Sequence, residues 1–246
     1  GMRLKPSVAV VSGASRGLGL AFVKQLLART PAIIIATSRS GAMPAELLAS
    51  GRVVPLVCDV TSAADAAALA ERVDADHGGR VDMLLNVAGV LHDESTAYMP
   101  ERSLASIDPA RMQQVLAINA IGPVLVTQAL ARRLTKGAVV GNLSARVGSI
   151  ADNGLGGWWS YRMSKAALNM ATVNMAIELR RKGVIVAALH PGTTQTELSA
   201  PFQKNVKPEK LFTPEYSTGA MLDVLDSLSM EDTGGFYAYD GSRIEF

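Results

Sequence analysis

Val8-Ala9-Val10-Val11-Ser12-Gly13-Ala14-Ser15-Arg16-Gly17-Leu18-Gly19 joins a β-branched apolar run to a glycine-rich turn, and Leu18–Arg29 then reads as a helix. Gly13 permits a tight turn, Gly17 lets backbone approach a pyrophosphate, and Gly19 allows close helix packing. Unpaired N–H groups at the helix start, with the positive end of its dipole, favour an anion there. The spacing is G-x-x-x-G-x-G, which differs from the G-x-G-x-x-G fingerprint, and no G-K-[ST] follows, which disfavours a triphosphate-binding loop.

Outward from this turn, apolar strand-like runs alternate with helical segments. Ala32–Ala36, Val53–Val57, Val81–Val87, Ala138–Leu143, Val184–Leu189 and Phe236–Tyr239 read as strands. Between them lie an alanine-rich helix to about Ala75, capped by Thr61 or Ser62, and a long helix within Pro109–Leu134. Asp108 is its expected N-cap, with Pro109 at the first helical position. Helices over Ser160–Arg181, ended by Gly183, and over Pro214–Leu228 complete the series. Continuous apolar strands separated by helices predict a parallel sheet covered on both faces. Right-handed crossovers make it a doubly wound α/β Rossmann fold of about seven strands. No linker or repeat divides the chain, so residues 2–246 read as one domain; Gly1 before Met2 reads as an expression remnant. Leu91–Ile107 and Ser199–Thr213 break the rhythm, and irregular segments after strand ends are where this architecture binds ligands.

The 246 residues are 48% hydrophobic with a formal net charge of +2, which gives no reason to expect nucleic acid or a membrane surface as partner. The single cysteine, Cys58, falls in a buried strand reading and excludes an internal disulfide. His77, His92 and His190 lack ligand spacing, so no metal site is expected. No apolar run approaches about 18 residues, and no signal pattern opens the chain; a cytoplasmic protein is the expectation.

An acid that binds a ribose hydroxyl ordinarily ends the second strand. Here Thr37-Ser38-Arg39-Ser40 stands there. Arg39 offers a fork of donors suited to a 2′-phosphate, and Arg16 could reach the same group, which points to NADP over NAD. Farther along, Tyr161 and Lys165 stand at i and i+4 on a helix face. A free tyrosine ionises near pH ~10, and a cation beside it favours the phenolate.

The ordered set Ser12–Gly19, Asp59-Val60, Asn86-Val87-Ala88-Gly89, Asn119, Ser144, Tyr161-x-x-x-Lys165 and Pro191-Gly192 resembles the classical short-chain dehydrogenase/reductase family over almost the whole chain. The resemblance implies Tyr161 as general acid/base and Lys165 as the group that tunes it and binds the nicotinamide ribose. It implies Ser144 as a hydrogen-bond partner of the substrate carbonyl, and Asn119 as the anchor of a water relay. Gly13, Ser15, Arg16, Gly17, Leu18 and Gly19 would form the phosphate turn. Asp59 and Val60 would lie at the adenine, and Asn86, Ala88 and Gly89 beside the ribose. Pro191, Gly192, Thr194 and Thr196 would line the nicotinamide. Ser12 stands in place of a threonine, and Val87 in place of the second asparagine of the family motif. Leu85–His92 and Gly156–Tyr161 are similar to the C-factor and sniffer-type carbonyl reductase branch.

The implied activity is NADPH-dependent carbonyl reduction, or the reverse alcohol oxidation, on a small molecule. The expected assembly is a homodimer or homotetramer through the helices near 111–133 and 160–181. Trp158 and Trp159 are candidates for an apolar wall, and residues 199–213 for a substrate lid with Phe202 and Phe212 as covers. Two alternatives stay open: an NAD(P)-binding signalling protein of C-factor type, and a Rossmann methyltransferase. Neither needs Ser144, Tyr161 and Lys165 together.

Overall fold

The computed structural model describes residues 4–246; the reading of Gly1 lies outside the described residues. In chain order the elements are β1 (Val8–Ser12), α1 (Gly17–Arg29), β2 (Ile33–Ser38), α2 (Ala45–Leu48), β3 (Val53–Val57), α3 (Ala63–His77), β4 (Val81–Asn86), α4 (Pro109–Leu116) and α5 (Gly122–Leu130). They continue as β5 (Leu134–Leu143), α6 (Trp159–Leu179), β6 (Ile185–His190), β7 (Thr193–Thr194), β8 (Leu211–Phe212), α7 (Pro214–Ser227) and β9 (Phe236–Ala238). Among the described residues, seven strands form one parallel sheet in the order β3-β2-β1-β4-β5-β6-β9. This is the expected doubly wound Rossmann sheet. Its order reverses between β1 and β4, which opens a crevice at their C-terminal ends.

Alternation along the strands divides the core in two. Ala9, Val11, Ile34, Met83, Leu85 and Val139 face α1 and α7, packing with Phe22, Leu26, Met221 and Leu225. Val8, Val10, Ile35, Leu84, Val140 and Val186 face α3, α5 and α6, packing with Leu69, Val126, Leu130 and Met175. Strand β3 is an edge, so Pro55 can pair in register with Ala36 without interrupting a ladder on its far side.

The caps follow the chemistry of the sequence. Ser62, not Thr61, accepts from the Asp65 N–H to start α3, Asp108 accepts from the Ala110 N–H ahead of Pro109, and Gly183 (φ +72°) closes the end of α6. The long helix differs from expectation. It is interrupted by a π-turn at Ala117–Ile121 and ends at Leu130, and β5 starts at Leu134, before Ala138. Leu130 and Leu134 keep an i,i+4 apolar spacing that reads as helix, while pairing of Leu134 with Val81 draws the chain into the sheet. Pro109–Leu130 is, by length and composition alone, apolar enough to cross a membrane (mean hydropathy 1.2), contrary to the sequence reading; Val115, Val126 and Leu130 on it are buried in this fold.

The pairing of β7 with β8 was also not expected. Thr193 opposite Leu211 and Thr194 opposite Phe212 tie together the two ends of the intervening segment, which runs through short 3-10 turns at Ala200–Asn205 and Pro208–Lys210.

Candidate active site

The glycine turn leaves β1 with Gly13 at φ +66° and Gly17 at φ +53°. A Cβ on Gly13 would fall 2.7 Å from the Ala88 Cα, and one on Gly19 would fall 2.0 Å from the Gly13 carbonyl oxygen. Both glycines are therefore required by close backbone approach. Gly17 instead faces Thr196, whose side chain would lie 3.7 Å from an added Cβ. No side chain caps the first turn of α1, and no acid lies in it. Its N–H groups and dipole are thus available to an anion between the turn and Thr196. Ser15 and Leu18 are partly buried within this turn. Ser12 Oγ accepts from the N–H groups of Val87 (3.0 Å) and Ala88 (3.3 Å), which holds β1 and β4 together below the crevice.

Around the turn the expected residues divide. Arg39 is exposed at the end of β2 and bears electrostatically on Asp59. The Asp59 carboxyl lies below its ordinary pKa, chiefly because it accepts from the Thr61 N–H and hydroxyl. Arg16 forms an exposed ion pair with Glu197, which follows β7, at 2.6 Å. Val60 is buried, and Gly122 is needed beside it, since a Cβ there would meet it at 2.7 Å. Asn86 points into the sheet interior, with Nδ2 donating to Asn142 Oδ1 (2.8 Å) and Thr127 Oγ1 (3.1 Å). Its side chain is a core cross-link, which leaves its backbone at the crevice. Pro191 accepts from the Ser217 hydroxyl (2.7 Å), Thr194 is buried, and Gly192 takes φ +73° against Phe212 and Tyr239.

Tyr161, Lys165, Asn119 and Ser144 are all buried around the ends of β4 and β5. Lys165 Nζ donates to the Leu143 carbonyl (2.7 Å) and lies 5.6 Å from the centre of the Tyr161 ring. A Cβ on Gly89 would lie 3.5 Å from Asn119 Oδ1 and 3.7 Å from Lys165 Nζ, so those two groups flank Gly89. Asn119 is no solvated helix residue. It sits in the π-turn, exchanges hydrogen bonds with the Val90 N–H (2.8 Å) and carbonyl (2.9 Å), and donates to Ser164 Oγ (3.0 Å). The π-turn aims it inward, and it pins the segment after β4.

Burial corrects the simple reading of the i,i+4 pair. It raises the Tyr161 pKa above its ordinary value and pushes that of Lys165 down to about 7. Desolvation outweighs mutual support, so the phenol is held protonated. His190 is pushed down to about 4 by burial and by Arg146, and its Nδ1 accepts from the Arg146 N–H.

Three further residues carry no local sequence signal. Glu101, 3% exposed, accepts from the Ser160 N–H (3.1 Å), the Ser160 hydroxyl and the Tyr98 hydroxyl (3.2 Å), so it holds the N-terminus of α6. Asn169 accepts from the Ser144 hydroxyl at 2.7 Å. His92 bonds through Nε2 to the Glu197 carbonyl (3.0 Å) and meets Phe202 edge-on, with ring centres 6.1 Å apart. Trp158 takes φ +50° ahead of α6 and packs on Phe202 (4.7 Å) and on the edge of Tyr161 (6.2 Å). Phe202 thus lies on the Tyr161 side of the crevice, next to Trp158. Phe212 does not; it packs with Tyr239 (4.6 Å) and Tyr216 (5.1 Å) behind Gly192. Cys58 is buried, with its thiol pushed up to about 11 by burial and by Asp65 and Asp59, as fits a core residue.

Beside this geometry, a parallel sheet with a glycine turn at its switch point and a buried Ser, Tyr and Lys, residues 7–207 of the chain match the short chain dehydrogenase family model. The chain belongs to the short-chain dehydrogenase family. It is 34% identical over 240 residues to 1-hydroxy-2-glutathionyl-2-methyl-3-butene dehydrogenase of Rhodococcus sp. (strain AD45), covering 98% of this chain and 100% of that one. It is 39% identical over 168 residues to the C-signal protein of Myxococcus xanthus, covering 68% and 93%. A carbonyl reductase from chicken fatty liver, solved with NADPH bound, superposes with a TM-score of 0.87 at 31% identity, covering 99% and 100%. Within the family, the chain is of the C-factor and sniffer carbonyl reductase type.

Proposed function

We propose that this chain is an NADP(H)-dependent oxidoreductase that reduces a carbonyl, or oxidises the matching alcohol, with Tyr161 as the proton donor and acceptor. The observation that carries the reading is the buried grouping of Tyr161 and Lys165, with Lys165 and Asn119 flanking Gly89 close to the glycine turn. The residues present fit a dinucleotide phosphate. The uncapped start of α1 and Gly17 opposite Thr196 form its cradle, and Arg39 beside Asp59 is the donor for a 2′-phosphate.

When bound, the nicotinamide supplies the hydride that reduces the carbonyl carbon. Tyr161, held as a phenol by burial, gives its proton to the carbonyl oxygen, so charge does not build up there. Lys165, poised near neutrality on the Leu143 carbonyl, is placed to restore that proton. Trp158 and Phe202 exclude water and present aromatic faces, which favours an apolar or aromatic carbonyl. The reading extends to a cytoplasmic homo-oligomer. Exposed Ile121, Val124, Met163, Met170 and Ile177 on α5, α6 and the π-turn supply the apolar surface for pairing.

Titration with NADPH and NADH tests the cofactor assignment. NADPH binds more tightly in the wild type, and Arg39→Asp reverses or abolishes that preference; an unchanged preference refutes the role of Arg39. The second reading, a signalling protein of C-factor type, draws support from the similarity to the C-signal protein. It predicts cofactor binding without turnover of any carbonyl in a broad panel.

A further inference from the structure

Trp158 stands just ahead of α6 with φ +50° and ψ +45°, and among the described residues Ala97 is the one other non-glycine residue with positive φ. A bulky side chain in that left-handed region is costly, and it persists only where the surroundings over-determine the backbone. Gly156 (φ +64°) and Gly157 (φ +68°) precede it, so three residues in a row are left-handed, whereas L-residues ordinarily visit that region singly. Two sets of hydrogen bonds hold this turn. On one side the Glu101 carbonyl accepts from the Trp158 N–H (2.5 Å), while the Glu101 carboxylate holds Ser160. On the other the Arg162 guanidinium donates through Nε to the carbonyls of Gly156 (3.1 Å) and Gly157 (3.0 Å), and through Nη1 to that of Val147 (3.1 Å). Arg162 thus ties the turn both to α6 and to the 3-10 turn at Arg146–Gly148 that follows Ser144. The indole placed in this way is half-buried, with ring centres 6.2 Å from Tyr161 and 4.7 Å from Phe202.

We propose that Trp158 determines which carbonyl substituent the site accepts, and that Arg162 is the positioning residue that keeps it in place. The inference rests on the oxidoreductase reading above and deepens it: the preferred substrate carries a flat aromatic group next to its carbonyl. A compound whose carbonyl reaches Tyr161 lays that group against the neighbouring indole, where ring contact favours an aryl group over an alkyl chain. Arg162 touches neither substrate nor cofactor and acts through Trp158. The backbone region decides the direction in which Cβ leaves the chain, so a turn freed of Arg162 relaxes and takes the indole with it.

The test compares kcat/KM for benzaldehyde and butanal, with NADPH, in wild type, Trp158→Ala, Arg162→Met and the double variant. Trp158→Ala is expected to lower the benzaldehyde-to-butanal ratio about fivefold, the worth of one aromatic ring pair. Arg162→Met lowers the same ratio by a smaller factor, and the double variant falls no lower than Trp158→Ala, because one residue works through the other. A residue needed only for folding would reduce both substrates together and leave the ratio alone. An unmoved ratio in either single variant, or losses that multiply in the double variant, overturns the proposal. Should Arg162→Met fail to fold, Arg162→Lys, which keeps the charge and loses the fork of donors, reads the same ratio. A second readout needs no turnover: glycine suits the left-handed backbone and alanine does not, so Trp158→Gly is expected to unfold at a higher urea concentration than Trp158→Ala, and the reverse order overturns the proposal. Absence of turnover of either aldehyde by the wild type defeats the oxidoreductase reading and this proposal with it, whereas turnover with an unmoved ratio defeats this proposal alone.

Discussion

Lys165 is the residue whose surroundings cost most and explain most. Its ammonium is buried with one carbonyl partner, and desolvation brings its pKa down to about 7. Between that value and the ordinary range near 10.5, the unfolded chain binds a proton that the folded chain does not, so this group's contribution to stability rises with pH across the window. Lys165→Met removes the titration. The stability of the variant relative to wild type is therefore expected to be greater at pH 6.5 than at pH 9.5 in urea denaturation, alongside loss of turnover. A difference independent of pH would contradict the buried, shifted amine. Tyr161 and Lys165 were legible as a pair from their spacing, yet the direction of the Tyr161 shift was not. Spacing on a helix reports which groups are neighbours; burial, which decides the sign here, is a property of the packed chain.

At the scale of elements, α6 is set in place by its first turn. Glu101 holds the Ser160 N–H and hydroxyl across 59 residues of sequence, and Trp158 just ahead of the helix adopts a left-handed backbone. Burial acts to raise the Glu101 pKa, but bonds from Ser160 and Tyr98 outweigh it and hold the carboxyl below its ordinary value. Glu101→Gln keeps the shape and loses the charge. It is expected to cost about 1.5–3 kcal/mol, the range for hydrogen bonds to a charged group, read from the urea midpoint at pH 7. Unchanged stability would show that the carboxylate does not hold the helix. Stability drawn from Glu101 is present at neutral pH and is lost as pH falls through its lowered pKa. Glu101 and Asn169 escaped the sequence reading because their partners, Ser160 and Ser144, are distant in the chain. The π-turn escaped it because inserting one residue into a helical turn leaves no mark on apolar spacing.

For the whole molecule, one reversal of strand order organises the site. β1 and β4 diverge at their C-terminal ends, Ser12 ties them together beneath, and the glycine turn, Gly89, Tyr161 and Lys165 gather above. The sheet was legible because buried parallel strands are continuous apolar runs, and such runs need no knowledge of their partners. The β7–β8 pair was not, since two-residue strands carry no periodicity and form only when the chain between them folds back. The opposite fates of Phe202 and Phe212 follow from that closure, which turns one ring toward Trp158 and the other toward Tyr239. The central claim is that this assembly reduces a carbonyl through Tyr161, and NADPH-dependent turnover of a panel of aromatic aldehydes and ketones by wild type and Tyr161→Phe tests it most directly. The account predicts turnover by the wild type and a fall of about 10²–10⁴ in kcat for Tyr161→Phe with NADPH binding retained; equal turnover by the two proteins would contradict it.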